Sequence, residues 1–125
     1  MKKEDADVFD SLEEQMKGMY EEIGLLSKKK PDGPVNKFKL RFLNDLLAKV
    51  NQLLGKMYKT LESFIEFSEE DLPTGSDVVF ILSQYLKSMD KFRYDNTRDK
   101  GYEGCYWNLD NPKIVKKTRR SKFLE

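Results

Sequence analysis

The sequence predicts an all-α fold: an antiparallel bundle of three helices, with four as the alternative, followed by a short irregular or hairpin-like C-terminal extension. Apolar residues recur at helical spacing in three long segments, and 7 Gly and 4 Pro in 125 residues are too few for a fold of many short strands. The length indicates one compact unit. We divide it into a helical bundle, residues 1–97, and an aromatic and basic extension, residues 98–125, which we expect to be partly mobile.

The first helix is predicted over residues 5–28. Its apolar residues alternate three and four positions apart, which places them on one stripe of a helix. They are Phe9, Leu12, Met16, Met19, Ile23 and Leu26. Acidic residues occupy its first turns and lysines its end, as the helix dipole favours. The segment KKKPDGP then ends the helix, and Asp32 is placed to cap the next one.

The second helix is predicted to begin near Val35 and is the most apolar of the three. Its seam continues in phase to Phe64, so one long helix and a helix interrupted at Gly55 both fit the pattern. Apolar residues cover more than one of its faces. Such a helix either lies in the middle of a bundle or contributes to an intermolecular interface.

The third helix is predicted over residues 75–96. Thr74 and Asp77 form a capping box at its start, because a threonine side chain can accept a hydrogen bond from the backbone three residues later. An apolar seam follows at helical spacing. Asp90 and Arg93 flank this seam, and we interpret them as ordinary surface charges.

Beyond the third helix the helical spacing stops. The turn signal Asp-Asn-Pro at residues 110–112 separates two short segments, and we expect a small hairpin that pairs residues 105–109 with residues 113–117. An aromatic group precedes this turn and a strongly basic segment follows it. The extension therefore combines features that are typical of nucleic-acid contact and of simple packing on a core.

Charges are segregated along the chain although the totals nearly balance. Residues 4–22 carry a net charge of −7, residues 27–59 carry +7, residues 60–77 carry −6 and residues 113–125 carry +5. The first two blocks have two explanations: an acidic first helix beside a basic second helix, or a basic face that binds a polyanion. The basic residues of the second helix do not share one face, which favours the first explanation.

The composition excludes most catalytic chemistry. The chain has no His, which removes the commonest general base and zinc ligand, and its single Cys excludes disulfide frameworks. Glycine-rich phosphate loops and zinc motifs are also missing from the sequence. We therefore predict a non-enzymatic protein with no catalytic residues, no metal and no cofactor. An acidic start without a long apolar segment favours a cytoplasmic location.

We predict a protein-binding or assembly subunit that acts through a helical-bundle surface, with a protein partner or a second copy as its ligand. The residues expected to form the contact are Leu40, Leu47, Leu54, Phe64, Phe67 and Leu72. We infer neither a membrane nor a small-molecule substrate as a partner.

The alternative is a small nucleic-acid-associated subunit that uses the C-terminal extension. Six cations within ten residues follow an aromatic group whose rings are suited to stacking on unpaired bases. The binding residues would be Trp107, Lys113, Lys116, Lys117, Arg119, Arg120 and Lys122.

Overall fold

The computed structural model describes residues 1–59, 61 and 64–122, and these form a mostly helical protein with a small sheet near the C-terminus. The helices are α1 (Lys3–Lys29), α2 (Lys37–Leu54) and α3 (Gly75–Asp95). The strands are β1 (Thr97–Asp99), β2 (Cys105–Trp107) and β3 (Lys117–Thr118). Short 3₁₀ turns lie at Lys56–Tyr58 and Gly101–Glu103. The mostly helical class and the positions of the three helices agree with the prediction; residues 123–125 of the extension lie outside the described part.

The second helix ends at Leu54 because Gly55 takes a backbone conformation that a helix cannot continue. Gly55 has φ 69° and ψ −172°, a region that is open almost only to glycine. Its N–H still donates to the carbonyl of Asn51 at 3.0 Å, which closes the helix. Of the two alternatives that the sequence left open, the structure has the interrupted helix.

Side chains that precede the helix cap α2 and α3, whereas no side chain caps the start of α1. Thr74 accepts a hydrogen bond from the backbone N–H of Asp77 at 3.2 Å, which confirms the predicted cap of α3. The predicted cap at Asp32 is wrong. Asn36 caps α2 instead, accepting from Lys39 N at 2.8 Å, because the chain stays extended through Val35 before the helix begins.

Contacts at both ends of α1 show that it runs antiparallel to α2 and α3. The loop after α1 pairs with the residues before α3: Gly75 N donates to Gly33 O at 3.0 Å, and Val35 N donates to Pro73 O at 3.0 Å. At the opposite end, Arg93 near the end of α3 contacts Glu13 near the start of α1. The helices α2 and α3 therefore begin at the same end of the molecule.

The C-terminal extension forms a three-stranded antiparallel sheet in the order β1-β2-β3. The two segments of the predicted hairpin do lie side by side, but the predicted register and extent are wrong. Cys105 pairs with Thr118, one residue beyond the predicted partner, and the paired segments are only two or three residues long. The β2–β3 pairing is short: Trp107 N donates to Lys116 O at 3.0 Å, and the next N–H, that of Asn108, faces the other side of β2 and donates to Asn96 O at 2.8 Å. Strand β1, which was not predicted, covers the other edge of β2.

One apolar core joins the three helices and the sheet. The ring of Phe9 stacks on Phe92 with centroids 5.2 Å apart and meets the ring of Trp107 edge-on at 5.1 Å. Trp107 is buried, so strand β2 is anchored directly to α1 and α3. None of the helices in the described ranges combines the length and the apolarity that a membrane span requires.

Candidate functional site

The residues predicted to contact a partner lie mostly inside the protein. Leu40, Leu47, Leu54 and Phe67 are buried in the core, and only Leu72 is exposed. Phe64 is half-buried, with its ring packed against those of Phe67 and Tyr85. The expected contact region is therefore corrected: these leucines cannot meet a partner in the folded chain, because α1 and the segment after residue 63 cover the apolar face of α2.

Two phenylalanines are the exposed apolar residues of α2. Phe38 is 80% exposed and Phe42 is 43% exposed, and the two lie one helical turn apart. Lys39, which follows Phe38 in the sequence, bonds Glu22 Oε1 of α1 through its Nζ at 3.0 Å, so this side of α2 borders α1. Leu26, one turn after Glu22, is also exposed on this border. We call Leu26, Phe38 and Phe42 the α1–α2 patch.

The Lys39–Glu22 pair also bears on the two explanations of the charge blocks. It connects a basic residue of α2 with an acidic residue of α1, as the structural explanation expected. Most ion pairs of the acidic α1, however, involve residues of α3 and of the C-terminal segment. The acidic block is thus neutralised chiefly by cations that lie about one hundred residues later in the sequence.

Trp107 does not present its ring to solvent. Its indole N–H donates to Asp10 Oδ2 at 3.2 Å, and the Arg93 guanidinium lies 5.2 Å from the ring centroid. Stacking of this ring on a base would require the core between α1 and α3 to open. Trp107 is therefore not accessible to a base in the folded chain, whereas Tyr102 of the same aromatic group is exposed.

The basic residues of the extension divide into two groups. Lys116, Arg119 and Arg120 bond acidic residues: Lys116 Nζ is 2.9 Å from Asp7, Arg119 Nη2 is 2.8 Å from Glu13, and Arg120 Nη2 is 2.8 Å from Asp99. The hydrogen bond between Lys116 and Asp7 raises the pKa of the lysine and lowers that of the aspartate. The second group lies exposed on the surface: Lys113, Lys117 and Lys122.

Arg93 lies at the centre of a buried ion-pair network. Its side chain is 1% exposed, and Nη2 is 2.5 Å from Glu13 Oε1 and 3.4 Å from Asp10 Oδ1. It also donates to the hydroxyl of Thr118, and its Nε has no hydrogen-bond partner in the described part of the chain. The interpretation of Arg93 as a surface charge is wrong, because the C-terminal segment folds back over it.

Asp90 is the second buried charge of α3, and its interpretation as a surface charge is also wrong. Its carboxylate accepts from Arg119 Nη2 at 3.0 Å, from Ser121 Oγ at 2.9 Å and from the backbone N–H of Lys122 at 3.1 Å. Three groups of the C-terminal segment thus donate hydrogen bonds to one carboxylate. This convergence fastens residues 119–122 to α3.

Glu13 receives both arginines of the network. Burial by itself raises the pKa of this carboxyl, but the hydrogen bond from Arg119 and the positive charges of Arg93, Arg119 and Lys17 outweigh that effect and lower it. Glu13 therefore stays ionised although it is buried. Glu13 and the two arginines thus compensate one another's charge, and such buried ion pairs help to determine how distant segments pack together.

The sequence contains a signal from which this network could have been predicted. Asp10 and Glu13 each follow an apolar seam residue of α1 by one position, so both lie at the edge of the buried stripe and one turn apart. A segment with net charge +5 elsewhere in the chain was available to cover them.

We compared the chain with models of protein families, with characterised proteins and with solved structures, and none of the three comparisons finds a match.

Proposed function

We propose that the chain is a non-enzymatic protein-binding or assembly subunit, built as an antiparallel three-helix bundle whose α1–α2 patch receives an apolar surface of another protein chain. The observation that carries the proposal is the exposure of Phe38, which has 80% of its surface in water although it lies on a folded helix. Moving a large aromatic side chain out of water lowers the free energy.

The arrangement of the patch supports a helical partner. Phe38 and Phe42 lie four residues apart, which is the spacing with which one helix face contacts a partner. Fully burying one such side chain contributes about 1.5–3 kcal/mol. The Lys39–Glu22 pair supplies a polar edge beside the apolar residues, and a polar rim around an apolar centre is typical of protein interfaces.

The proposal is tested by adding charge to the patch. If the partner is a second copy, we expect Phe38→Glu/Phe42→Glu to abolish self-association, measured by sedimentation velocity. If it is another protein, we expect the same variant to abolish capture of that protein by the immobilised chain. The control is Phe80→Glu/Gln84→Glu, which introduces the same charge on the outer side of α3, where Phe80 is exposed. Far-UV circular dichroism of both variants verifies that the helices persist.

The wild-type chain must associate with itself or retain a partner, and the control must behave like the wild type. A wild-type chain that stays monomeric at every concentration and captures no protein refutes the proposal. Equal losses in both double variants also refute it, since the effect would then follow from charge rather than from the patch.

The nucleic-acid alternative has less support. Trp107 is buried, and Lys116, Arg119 and Arg120 are bonded to carboxylates, so the polyanion would meet only part of the predicted site. Retention on heparin at low salt that disappears in Lys113→Glu/Lys117→Glu would favour this alternative, because phosphate binding depends steeply on salt.

A further inference from the structure

A groove of about 710 Å³ lies between α1, α3 and the C-terminal segment. Its apolar lining includes Tyr20 of α1 and Leu86 of α3, which are in part accessible. The volume falls within the roughly 300–1,000 Å³ that is usual for binding pockets. The groove is separate from the α1–α2 patch, because it opens on the α3 side of α1.

The charges that line the groove are mainly positive. Four cations line it, from all three of its walls: Lys17, Lys87, Arg119 and Lys122. Two carboxylates also line the groove: Asp90, which is occupied by Arg119 and Ser121, and Glu21, which is exposed. Lys17 lies 3.7 Å from Glu13. Lys87 and Lys122 are exposed. The groove therefore suits a ligand that combines an apolar side chain with negative charge.

The same chain carries a segment with that chemistry on another part of its surface. Glu70, Asp71 and Leu72 form the end of a turn, and all three are exposed. Leu72 has φ 47°, an unusual value for a residue other than glycine, and 60% of its surface is in water. The turn thus presents two carboxylates beside one apolar side chain. We call residues 70–72 the acidic turn.

Residues just before the acidic turn are bonded to α2. Arg41 Nε donates to Glu69 Oε1 at 2.7 Å, and the Asn44 side chain bonds both the N–H and the carbonyl of Phe67 at 2.8 and 2.9 Å. A segment that is ordered before binding loses less conformational entropy when it docks. The serine hydroxyl of Ser68 lowers the pKa of Glu70, so this carboxylate is ionised at neutral pH.

We propose that the acidic turn of one copy docks in the groove of a second copy, with Leu72 against Tyr20 and Leu86 and the carboxylates beside Lys87 and Lys122. This inference goes beyond the proposed function, because it uses surfaces other than the α1–α2 patch. Because the turn and the groove are different surfaces, the contact is head-to-tail and leads to open chains or closed rings.

The test uses two variants that each damage one half of the contact. Lys87→Glu/Lys122→Glu reverses the charge of two lysines that line the groove, and Glu70→Lys/Asp71→Lys reverses the charge of two carboxylates of the acidic turn. We expect sedimentation velocity at low salt to show association of the wild-type chain that weakens as salt is added. Each variant should raise the dissociation constant at least about tenfold, because like charges then face each other. The matched control is Lys49→Glu/Lys56→Glu, which replaces two exposed lysines, one in α2 and one in the turn that follows it. This control should change the dissociation constant less than about twofold.

Mixing the two damaged variants gives the decisive result. The groove variant retains an intact turn and the turn variant retains an intact groove, so the mixture should associate although neither variant does so alone. A wild-type chain that is monomeric at low salt overturns the inference, and so does a mixture that fails to associate. Association that is lost only in Phe38→Glu/Phe42→Glu would likewise overturn it, while leaving the proposed function intact. Binding of an unrelated acidic protein to the groove without self-association would assign the groove to another partner and overturn it as well.

Discussion

Arg93→Met is expected to destabilise the fold by about 3–5 kcal/mol. Methionine keeps an apolar stem of similar length but removes the guanidinium that contacts Glu13 and Asp10. Buried Glu13 would then keep Arg119 but lose Arg93, and half-buried Asp10 would keep Lys116 Nζ at 3.9 Å as a cation. The Arg93 guanidinium also lies 5.1 Å from the ring centroid of Phe9 and 5.2 Å from that of Trp107, and these cation–π contacts disappear in the variant.

The magnitude follows from burial rather than from the number of ion pairs. Removing one member of a buried pair costs about 3–5 kcal/mol, because the remaining charge has left water without a full partner. Glu13 keeps Arg119, which places the expected loss toward the lower end of that range. A domain of this size has a free energy of unfolding of roughly 5–15 kcal/mol, so the loss is a large fraction of the total.

Urea unfolding followed by far-UV circular dichroism and by Trp107 fluorescence measures this loss. The matched control is Arg41→Met, because Arg41 also forms two hydrogen bonds with one glutamate, Glu69, but its side chain is 70% exposed. We expect the control to cost at most about 1 kcal/mol. A double-mutant cycle of Arg93→Met with Glu13→Gln should show a combined loss smaller than the sum of the single losses.

Equal effects of Arg93→Met and Arg41→Met would refute the reasoning, because burial would then not determine the cost. Additive losses in the cycle would show that Arg93 and Glu13 do not depend on each other. Either result would mean that the C-terminal segment is held by its apolar contacts and not by the network.

Four further measurements test individual residues. The pKa of Glu13 is lower in the folded chain than the usual glutamate value of 4.5. Its contribution to stability is therefore complete above pH 4.5 and is lost as the pH falls through the lower folded pKa. The free energy of unfolding of Glu13→Gln should consequently fall less steeply in acid than that of the wild type. Gly55→Ala should lower the free energy of unfolding by about 1–3 kcal/mol, because φ 69° with ψ −172° suits glycine. Gly18→Ala should instead raise it by about 0.5–1 kcal/mol, since Gly18 is inside α1 and an added Cβ meets no atom within 4 Å. Asn36→Ala should cost about 1 kcal/mol in the same urea experiment, because the N–H of Lys39 loses its acceptor.

The positions of the helices could be predicted because each depends on neighbours in the sequence. Apolar residues three and four apart define a stripe, and a capping threonine such as Thr74 acts three residues away. The same local information left the end of α2 open. The apolar spacing continues through Gly55, and only the backbone angles at that residue show that the helix stops there.

The candidate surfaces could not be predicted in this way. The seam of α2 identified Leu40 and Leu47 as apolar but did not tell which apolar residues a neighbouring helix would cover. Phe38 and Phe42 belong to the same apolar pattern, yet they remain in water, because the buried residues of α2 centre on a different side of the helix.

The sequence by itself determined that this protein is mostly helical, where its three helices lie and how their charges are divided into blocks. Only the tertiary structure decided that Arg93, Asp90 and Trp107 are buried and that residues 116–122 bind α1 and α3. The physical reason is that helical periodicity specifies which side of a helix turns away from water. The environment of a charge depends instead on segments that meet only in the folded chain, as Asp10 and Thr118 do across 108 residues of sequence.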